Sequence, residues 1–223
     1  MQASPPTLRV LLVGASGAVG SAVLAQALGH PRVAALTALT RRPIEGVGRL
    51  TNVVVDFDQL PEDAPWWQTD IVICTLGTTR RAAGSDEQFA AIDRDLVLRI
   101  ARLARQAGAT RFALNSSLGA DAASTNFYLR VKGEAEEGLA GFDYPRVVIV
   151  RPSLIDTARQ QRRPAEQLGI IAARCLRPLM PKRYRAVKPD AIAYALLEGA
   201  LASKPGTHII ESDELMAPPV TQN

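Results

Sequence analysis

The chain predicts an α/β fold: one doubly wound parallel sheet with helices on both faces and a small C-terminal substrate cap. Three observations carry this. Short aliphatic runs alternate with helical stretches along the chain, the order that builds parallel sheets from strand–helix–strand units. The first run enters a glycine-punctuated turn and then a helix without a break. Aromatic residues are only 5% of a chain that is 47% hydrophobic, which favours helices packed on a sheet over an aromatic-rich β-sandwich. A length of 223 residues suits a single domain, residues 1–223, and 22% charged residues exclude a disordered or fibrous protein.

Leu8 to Val13 has the composition of a strand buried on both faces. The turn Gly14, Ala15, Ser16, Gly17, Ala18, Val19, Gly20 follows at once, and the apolar residues up to Leu28 suit a helix ending near Gly29 and Pro31. Such a turn uses Gly14 for the tight bend, Gly17 for close approach of a diphosphate, and Gly20 for close packing of the helix on the strand. The helix N-terminus then offers unpaired N–H groups and partial positive charge to the phosphates. The stretch from Val10 to Pro31 carries no Asp, Glu, Lys or Arg, and with Arg9 before it and Ala25-Gln26-Ala27 within it, it imitates a secretory signal. The regular glycine spacing argues for the nucleotide turn instead.

The next strand, Ala35 to Thr40, ends about 20 residues after Gly20, where a dinucleotide fold places the group that reads the adenosine ribose. An acid there would accept from a 2′-hydroxyl and repel a 2′-phosphate. Arg41 and Arg42 stand there instead, and their guanidinium forks suit a phosphate, so NADP (as NADPH) is expected over NAD.

Further strands are expected at Asn52 to Asp56, Asp70 to Thr75, Arg111 to Ser116, Arg146 to Arg151 and His208 to Glu211. The clearest helix runs from Asp86 to Ala107: Phe89, Ile92, Leu96, Ile100, Leu103 and Ala107 recur at three or four, Ser85 with Gln88 can form a capping box, and Gly108 ends it. Ligands gather at the carboxyl ends of parallel strands. Asp56 and Phe57 are therefore expected at the adenine edge, and Thr75, Leu76, Gly77 and Thr78 beside the dinucleotide, where glycine permits close backbone approach. Arg151, Pro152 and Ser153 are expected beside the nicotinamide, with proline stiffening the turn.

The fifth strand runs into Asn115-Ser116-Ser117. Tyr128 follows, and Lys132 comes four residues later, on the same face if the stretch through Leu139 is helical. An ammonium beside a phenol makes the phenol a usable general acid or base near neutral pH, while a Ser117 hydroxyl would polarise a carbonyl and Lys132 would also hold the nicotinamide ribose. Four tyrosines and four lysines in 223 residues should produce about 0.07 Tyr-x-x-x-Lys strings by chance, yet there are two. The second, Tyr184 and Lys188, is followed by Pro189 and has no serine-ended strand leading into it, so it is set aside.

GASGAVG, LTRRP, CTLGTTRRAAGSDEQFAAIDRD, NSSLGAD, YLRVKGE and RPSLI, in this order, resemble the atypical short-chain dehydrogenase/reductases, in particular the Tat-interacting-protein-like oxidoreductases with an NAD(P)H-binding domain. The likeness spans about Leu8 to Leu215. It implies a Rossmann fold of about seven strands, bound NADPH, and Ser117, Tyr128 and Lys132 in the catalytic positions, with Ser116 as a register alternative to Ser117. The asparagine that many members of the wider superfamily use in a proton relay has no convincing counterpart in this sequence.

Residues 154–188 are expected to form the small basic cap. From Arg159 to Lys188 there are nine basic residues against Glu166 alone, leaving 17 basic and 21 acidic of the chain's 26 and 22. Such a segment could meet an anionic substrate, a membrane surface or a protein partner. Leu168, Ile171, Ala172, Cys175, Leu176 and Leu179 form an apolar stripe within it, suited to core or homodimer packing or to peripheral membrane contact. Nucleic acid is disfavoured for want of interleaved aromatics. Cys74 and Cys175 cannot make a disulfide framework or a four-ligand metal site, His30 and His208 lack metal-ligand spacing, and a reducing cytoplasm is the default. No transmembrane segment is expected. The resulting expectation is an NADP-dependent oxidoreductase acting on a small carbonyl or alcohol substrate; the alternative is an NADPH-sensing regulator with little turnover.

Overall fold

A computed structural model describes residues 7–45, 48–156 and 181–216. Seven parallel strands form one sheet: β1 (Leu8–Val13), β2 (Val33–Thr40), β3 (Leu50–Val54), β4 (Ile71–Cys74), β5 (Arg111–Asn115), β6 (Arg146–Arg151) and β7 (Gly206–Glu211), in the order β3-β2-β1-β4-β5-β6-β7. The helices are α1 (Ala18–Gly29), α2 (Arg80–Ala83), α3 (86–106), α4 (Phe127–Ala140) and α5 (Pro189–Leu201). Strand order reverses between β1 and β4, which opens a crevice at their carboxyl ends. Val13 pairs with Cys74, so Gly14 and Thr75 leave the sheet side by side.

Successive residues of β1 serve opposite faces. Val10 and Leu12 pack with α1 and α5, whereas Leu11 and Val13 pack with Trp67, α3 and Tyr144. All four are essentially inaccessible, and burying such a side chain contributes roughly 1.5–3 kcal/mol. The sheet is therefore covered on both sides, which is why its strands read as continuous apolar runs.

Three expectations are corrected in detail. The third strand lies two residues earlier than the sequence suggests: Val55 N still donates to Thr40 O (2.9 Å), but Asp56 turns away to cap the 3₁₀ turn Phe57–Gln59, accepting from Asp58 N at 3.0 Å. The helix expected from Asp86 to Ala107 is not uniformly α-helical. It is α-helical over Asp86–Ala90, widens to a π-helix over Ala91–Leu96, and returns to α over Val97–Gln106, with Ser85 Oγ capping Gln88 N at 3.1 Å. The last strand begins at Gly206 rather than His208.

Of the expected cap, residues 157–180 lie outside the described residues, and with them the apolar stripe and Arg159, Arg162, Arg163, Arg174 and Arg177. Its two described ends meet: Ile155 bridges Val187, with Asp156 N donating to Val187 O and Val187 N to Leu154 O, both at 2.8 Å.

Candidate functional site

The turn after β1 is shaped by the absence of side chains. Gly14 has φ +92°, and a Cβ there would lie 2.7 Å from Thr75 Oγ1 and 2.8 Å from the Thr75 carbonyl carbon. A Cβ on Gly20 would sit 2.1 Å from Gly14 O, so α1 can lie this close to the turn only with glycine at that position. Gly17 is the N-cap of α1, without a side-chain cap and without an acid in the first turn, so the first N–H groups of the helix are left for a ligand. Nothing but Gly14 O, at 3.4 Å, approaches the position of a Cβ on Gly17, whose open side forms part of a cavity wall.

That cavity, of about 820 Å³, occupies the crevice at the strand reversal. Gly14, Ser16 and Gly17 form its floor, Thr40 and Arg41 one end, and Thr75, Leu76, Gly77 and Thr78 the other wall, closed by Ala82 of α2 and by Ile92 and Leu96 of the π-helix. A glycine cradle facing a free helix N-terminus, in a crevice of this size, fits the diphosphate and adenosine of a dinucleotide. Asp56 and Phe57 also line it, together with Asp58, which sequence reasoning missed. Both Arg41 and Arg42 are exposed, and only Arg41 is part of the cavity lining. Ala15, Val19 and Gly20 are buried behind the turn, and Ala18 is exposed outside the cavity lining.

None of the expected catalytic residues Ser117, Tyr128 and Lys132 is in the lining of that cavity. Tyr128 and Lys132 stand one turn apart on α4, whose N-cap Asn126 accepts from Leu129 N at 3.2 Å. Tyr128 is half-buried and packs on Phe89, ring centroids 5.5 Å apart. Lys132 is buried, and its Nζ lies 2.6 Å from Asp93 Oδ1, an ion-pair distance without hydrogen-bond alignment. A Cβ on Gly77 would stand 3.7 Å from Asp93 Oδ1 and 3.8 Å from Lys132 Nζ, so the pair lies directly behind the cavity wall.

The two serines after β5 differ. Ser116 is buried and donates its hydroxyl to Glu136 of α4, whereas Ser117 is half-buried and its carbonyl accepts from Ala120 N at 3.1 Å. Arg151, expected beside the nicotinamide, makes two ion pairs: 2.5 Å to Glu136 Oε2 and 3.1 Å to Glu211 Oε1. The reason is local, because a carboxylate as buried as Glu136 needs a cation, and Arg151 on the neighbouring strand is within reach. Its hydrogen bonds to Glu136 raise its pKa further, so it stays a cation. Pro152 and Ser153 likewise fall outside the cavity lining: Pro152 O accepts from Leu118 N (2.8 Å), and Ser153 donates its hydroxyl to Arg185 O. Pro152 thus ties down the loop that carries Ser117.

Asp93 and Glu136 are the charged residues that sequence reasoning passed over. The signal was there, since Asp93 falls four residues after Phe89 and Glu136 three before Leu139, each on a buried stripe where a charge needs a reason. Tyr184, in the second Tyr-x-x-x-Lys string, lies exposed in a 3₁₀ turn, and Lys188 precedes α5 in extended conformation, so the two share no helix. Cys74 is fully buried, which pushes its thiol up to about 12 and leaves it un-ionised at neutral pH. His30 pairs with Glu198 at 3.1 Å and His208 contacts Pro205 O, and among the described residues no group of His, Cys, Asp or Glu could hold a metal ion. Trp67 donates its indole N–H to Pro61 O inside the core. Among the described residues no helix is long and apolar enough to cross a membrane.

The fold and crevice define a dinucleotide-binding α/β domain of the kind found in short-chain dehydrogenase/reductases. The chain belongs to the NAD(P)H-binding family, whose profile matches residues 14–168. It is 41% identical over 165 residues to Protein HTATIP2 of Rattus norvegicus, covering 72% of this chain and 68% of that protein. It is 37% identical over 174 residues to the mitochondrial protein fmp52 of Emericella nidulans, covering 72% of each. The fold matches that of MoeE5 in complex with UDP-glucose and NAD with a TM-score of 0.69 at 17% identity, over 93% of this chain and 79% of that one. The resemblance to the atypical, Tat-interacting-protein-like short-chain dehydrogenase/reductase group therefore stands.

Proposed function

We propose that this protein is an NADP-dependent oxidoreductase that interconverts a small carbonyl compound and the corresponding alcohol. The observation that carries the reading is the placement of Tyr128 and Lys132 on one face of α4, with the Lys132 ammonium buried against the glycine wall of the dinucleotide cavity. Bound NADPH supplies a hydride equivalent to the carbonyl carbon. The chain's own residues handle the oxygen and the orientation. Tyr128 donates the proton that the carbonyl oxygen acquires, and takes it back in the reverse direction. Ser117, whose neighbour Ser116 is held by Glu136, donates a hydrogen bond that polarises the carbonyl. Lys132 keeps a positive charge beside the phenol and holds the nicotinamide ribose. Gly14, Ser16 and Gly17 hold the diphosphate, Thr75 to Thr78 flank the dinucleotide, and Arg41, at the adenosine end with Asp56 and Phe57, supports a 2′-phosphate and hence NADPH over NADH.

The test is a screen of carbonyl compounds followed by NADPH absorbance, with Tyr128→Phe and Tyr184→Phe beside the wild type. Removing the Tyr128 hydroxyl should lower turnover by roughly 10²- to 10⁴-fold while NADPH still binds. Tyr184→Phe should change turnover by no more than a few-fold. A substrate reduced equally well by wild type and Tyr128→Phe would sink the catalytic assignment and leave the NADPH-sensing regulator as the better reading.

A further inference from the structure

Asp93 has no accessible side-chain surface, and a carboxylate so placed is costly unless a cation and hydrogen bonds meet it. Its surroundings are specific. Oδ1 faces Lys132 Nζ at 2.6 Å, and Oδ2 accepts from Thr78 N at 3.0 Å. Thr78 and Gly77 belong to the cavity wall, so a single side chain joins that wall to the ammonium behind it. Asp93 lies buried within the π-helix over Ala91–Leu96, between Ile92 and Leu96, which line the cavity.

We propose that Asp93 is the positioning residue that fixes Lys132 for the nicotinamide half of the dinucleotide, and that it acts through charge rather than shape. The proposal rests on the reading of Lys132 given above. Lysine is a point charge on a flexible four-carbon stem, and left alone it would spread over many rotamers. The Asp93 carboxylate gives it a fixed counter-charge at ion-pair distance. The same carboxylate anchors the Thr78 N–H, so it ties the loop after β4 to the ammonium.

Asp93→Asn keeps the size of the side chain and an acceptor for Thr78 N but removes the charge. NADPH and adenosine 2′,5′-diphosphate, which lacks the nicotinamide ribose, would be titrated against wild type, Asp93→Asn, Lys132→Met and the double variant, with a melting curve for each. NADPH should bind about tenfold more weakly to either single variant and no more weakly still to the double one, since one interaction is lost in all three. Adenosine 2′,5′-diphosphate should bind all four within about twofold. Losses that multiply in the double variant, or an equal loss of the adenosine probe in Asp93→Asn, would overturn the proposal. If leaving a buried charge unpaired prevents either single variant from folding, the double variant carries the test, because it contains neither charge. It must then retain wild-type affinity for the adenosine probe while losing about tenfold for NADPH, and weakening of both would overturn the proposal. If Lys132→Met binds NADPH as tightly as wild type, the reading of Lys132 itself falls; multiplied losses with a weakened Lys132→Met remove only the role of Asp93.

Discussion

On the β1–β2 side of the crevice the ligand-facing surface is largely backbone, formed by a glycine turn, the open end of α1 and the exit of β4. On the β5–β6 side it rests on buried charges: Lys132 on Asp93, and Ser116 and Arg151 on Glu136. The two sides fail differently. A backbone wall is specified by where side chains are missing, so one added carbon destroys it, whereas salt and pH leave it alone. A charged wall is specified by pairs of residues distant in sequence, so removing one member leaves its partner desolvated and unmatched.

The largest expected effect is on the backbone side. Gly20→Ala would place a carbon 2.1 Å from Gly14 O and 2.7 Å from the Gly14 carbonyl carbon, backbone atoms that cannot retreat without moving the end of β1. A loss of about 3 kcal/mol or more is expected, seen as a melting temperature lower by roughly 6–12 °C. Gly29→Ala, in the same helix with nothing within 4 Å of its Cβ position, should instead be neutral or stabilising by up to about 1 kcal/mol. Equal melting temperatures for the two variants would show that the close approach of α1 to the turn is not what Gly20 provides.

Next comes the charged side. Arg151→Met leaves the buried Glu136, among the described residues, with the Ser116 hydroxyl as its remaining side-chain partner, and should cost about 2–3 kcal/mol in urea denaturation. Adding Glu136→Leu should recover at least half of that, because the stranded charge goes too. NADPH affinity should stay within about threefold throughout, since the Arg151 guanidinium is already engaged by Glu136 and Glu211. A tenfold loss would restore Arg151 as a nucleotide contact.

A smaller effect is expected from the arginines after β2. Arg41→Ala should lower the preference for NADPH over NADH by about tenfold, while Arg42→Ala, exposed outside the cavity, should change it by less than about twofold. The reverse result would mean that the loop turns over to bring Arg42 in when nucleotide binds.

This contrast between the two sides also explains what the sequence could disclose. The β1 turn is legible because strand, glycines and helix N-terminus are consecutive, and each constraint is local. Tyr128 and Lys132 are legible for the same reason, lying one turn apart on one helix. Asp93 falls on the same helical stripe as Phe89, Ile92, Leu96 and Ile100, but its role was not legible because its partners, Lys132 and Thr78 N, come from other elements. Ile92 and Leu96, read from the period as core, line the cavity. The ion pairs of Arg151 were not legible, because its position at a strand end is a local fact, whereas its two carboxylate partners come from α4 and from β7, 60 residues further along.

The smallest expected effect sharpens the contrast by moving an ion pair out to solvent at the other end of the same two strands. Arg9 on β1 and Asp70, just before β4, pair at 3.2 Å with side chains 53% and 32% exposed, and Asp70 also accepts from Arg9 N at 2.7 Å. Partial burial works against the Asp70 carboxylate, but the hydrogen bonds and charge of Arg9 outweigh it and hold Asp70 below its usual value of 3.8. A carboxyl whose pKa is lower folded than unfolded stabilises the fold above the unfolded value and loses that contribution as pH falls through the folded one. Asp70→Asn should therefore cost less than about 1 kcal/mol at pH 7, where water screens the pair, and the gap from wild type should close progressively as pH drops below about 4. Urea denaturation of both proteins across that range is the measurement. A cost near the 2–3 kcal/mol expected for Arg151→Met, or a gap that widens on acidification, would mean that burial is not what separates the strong ion pairs of this protein from the weak ones.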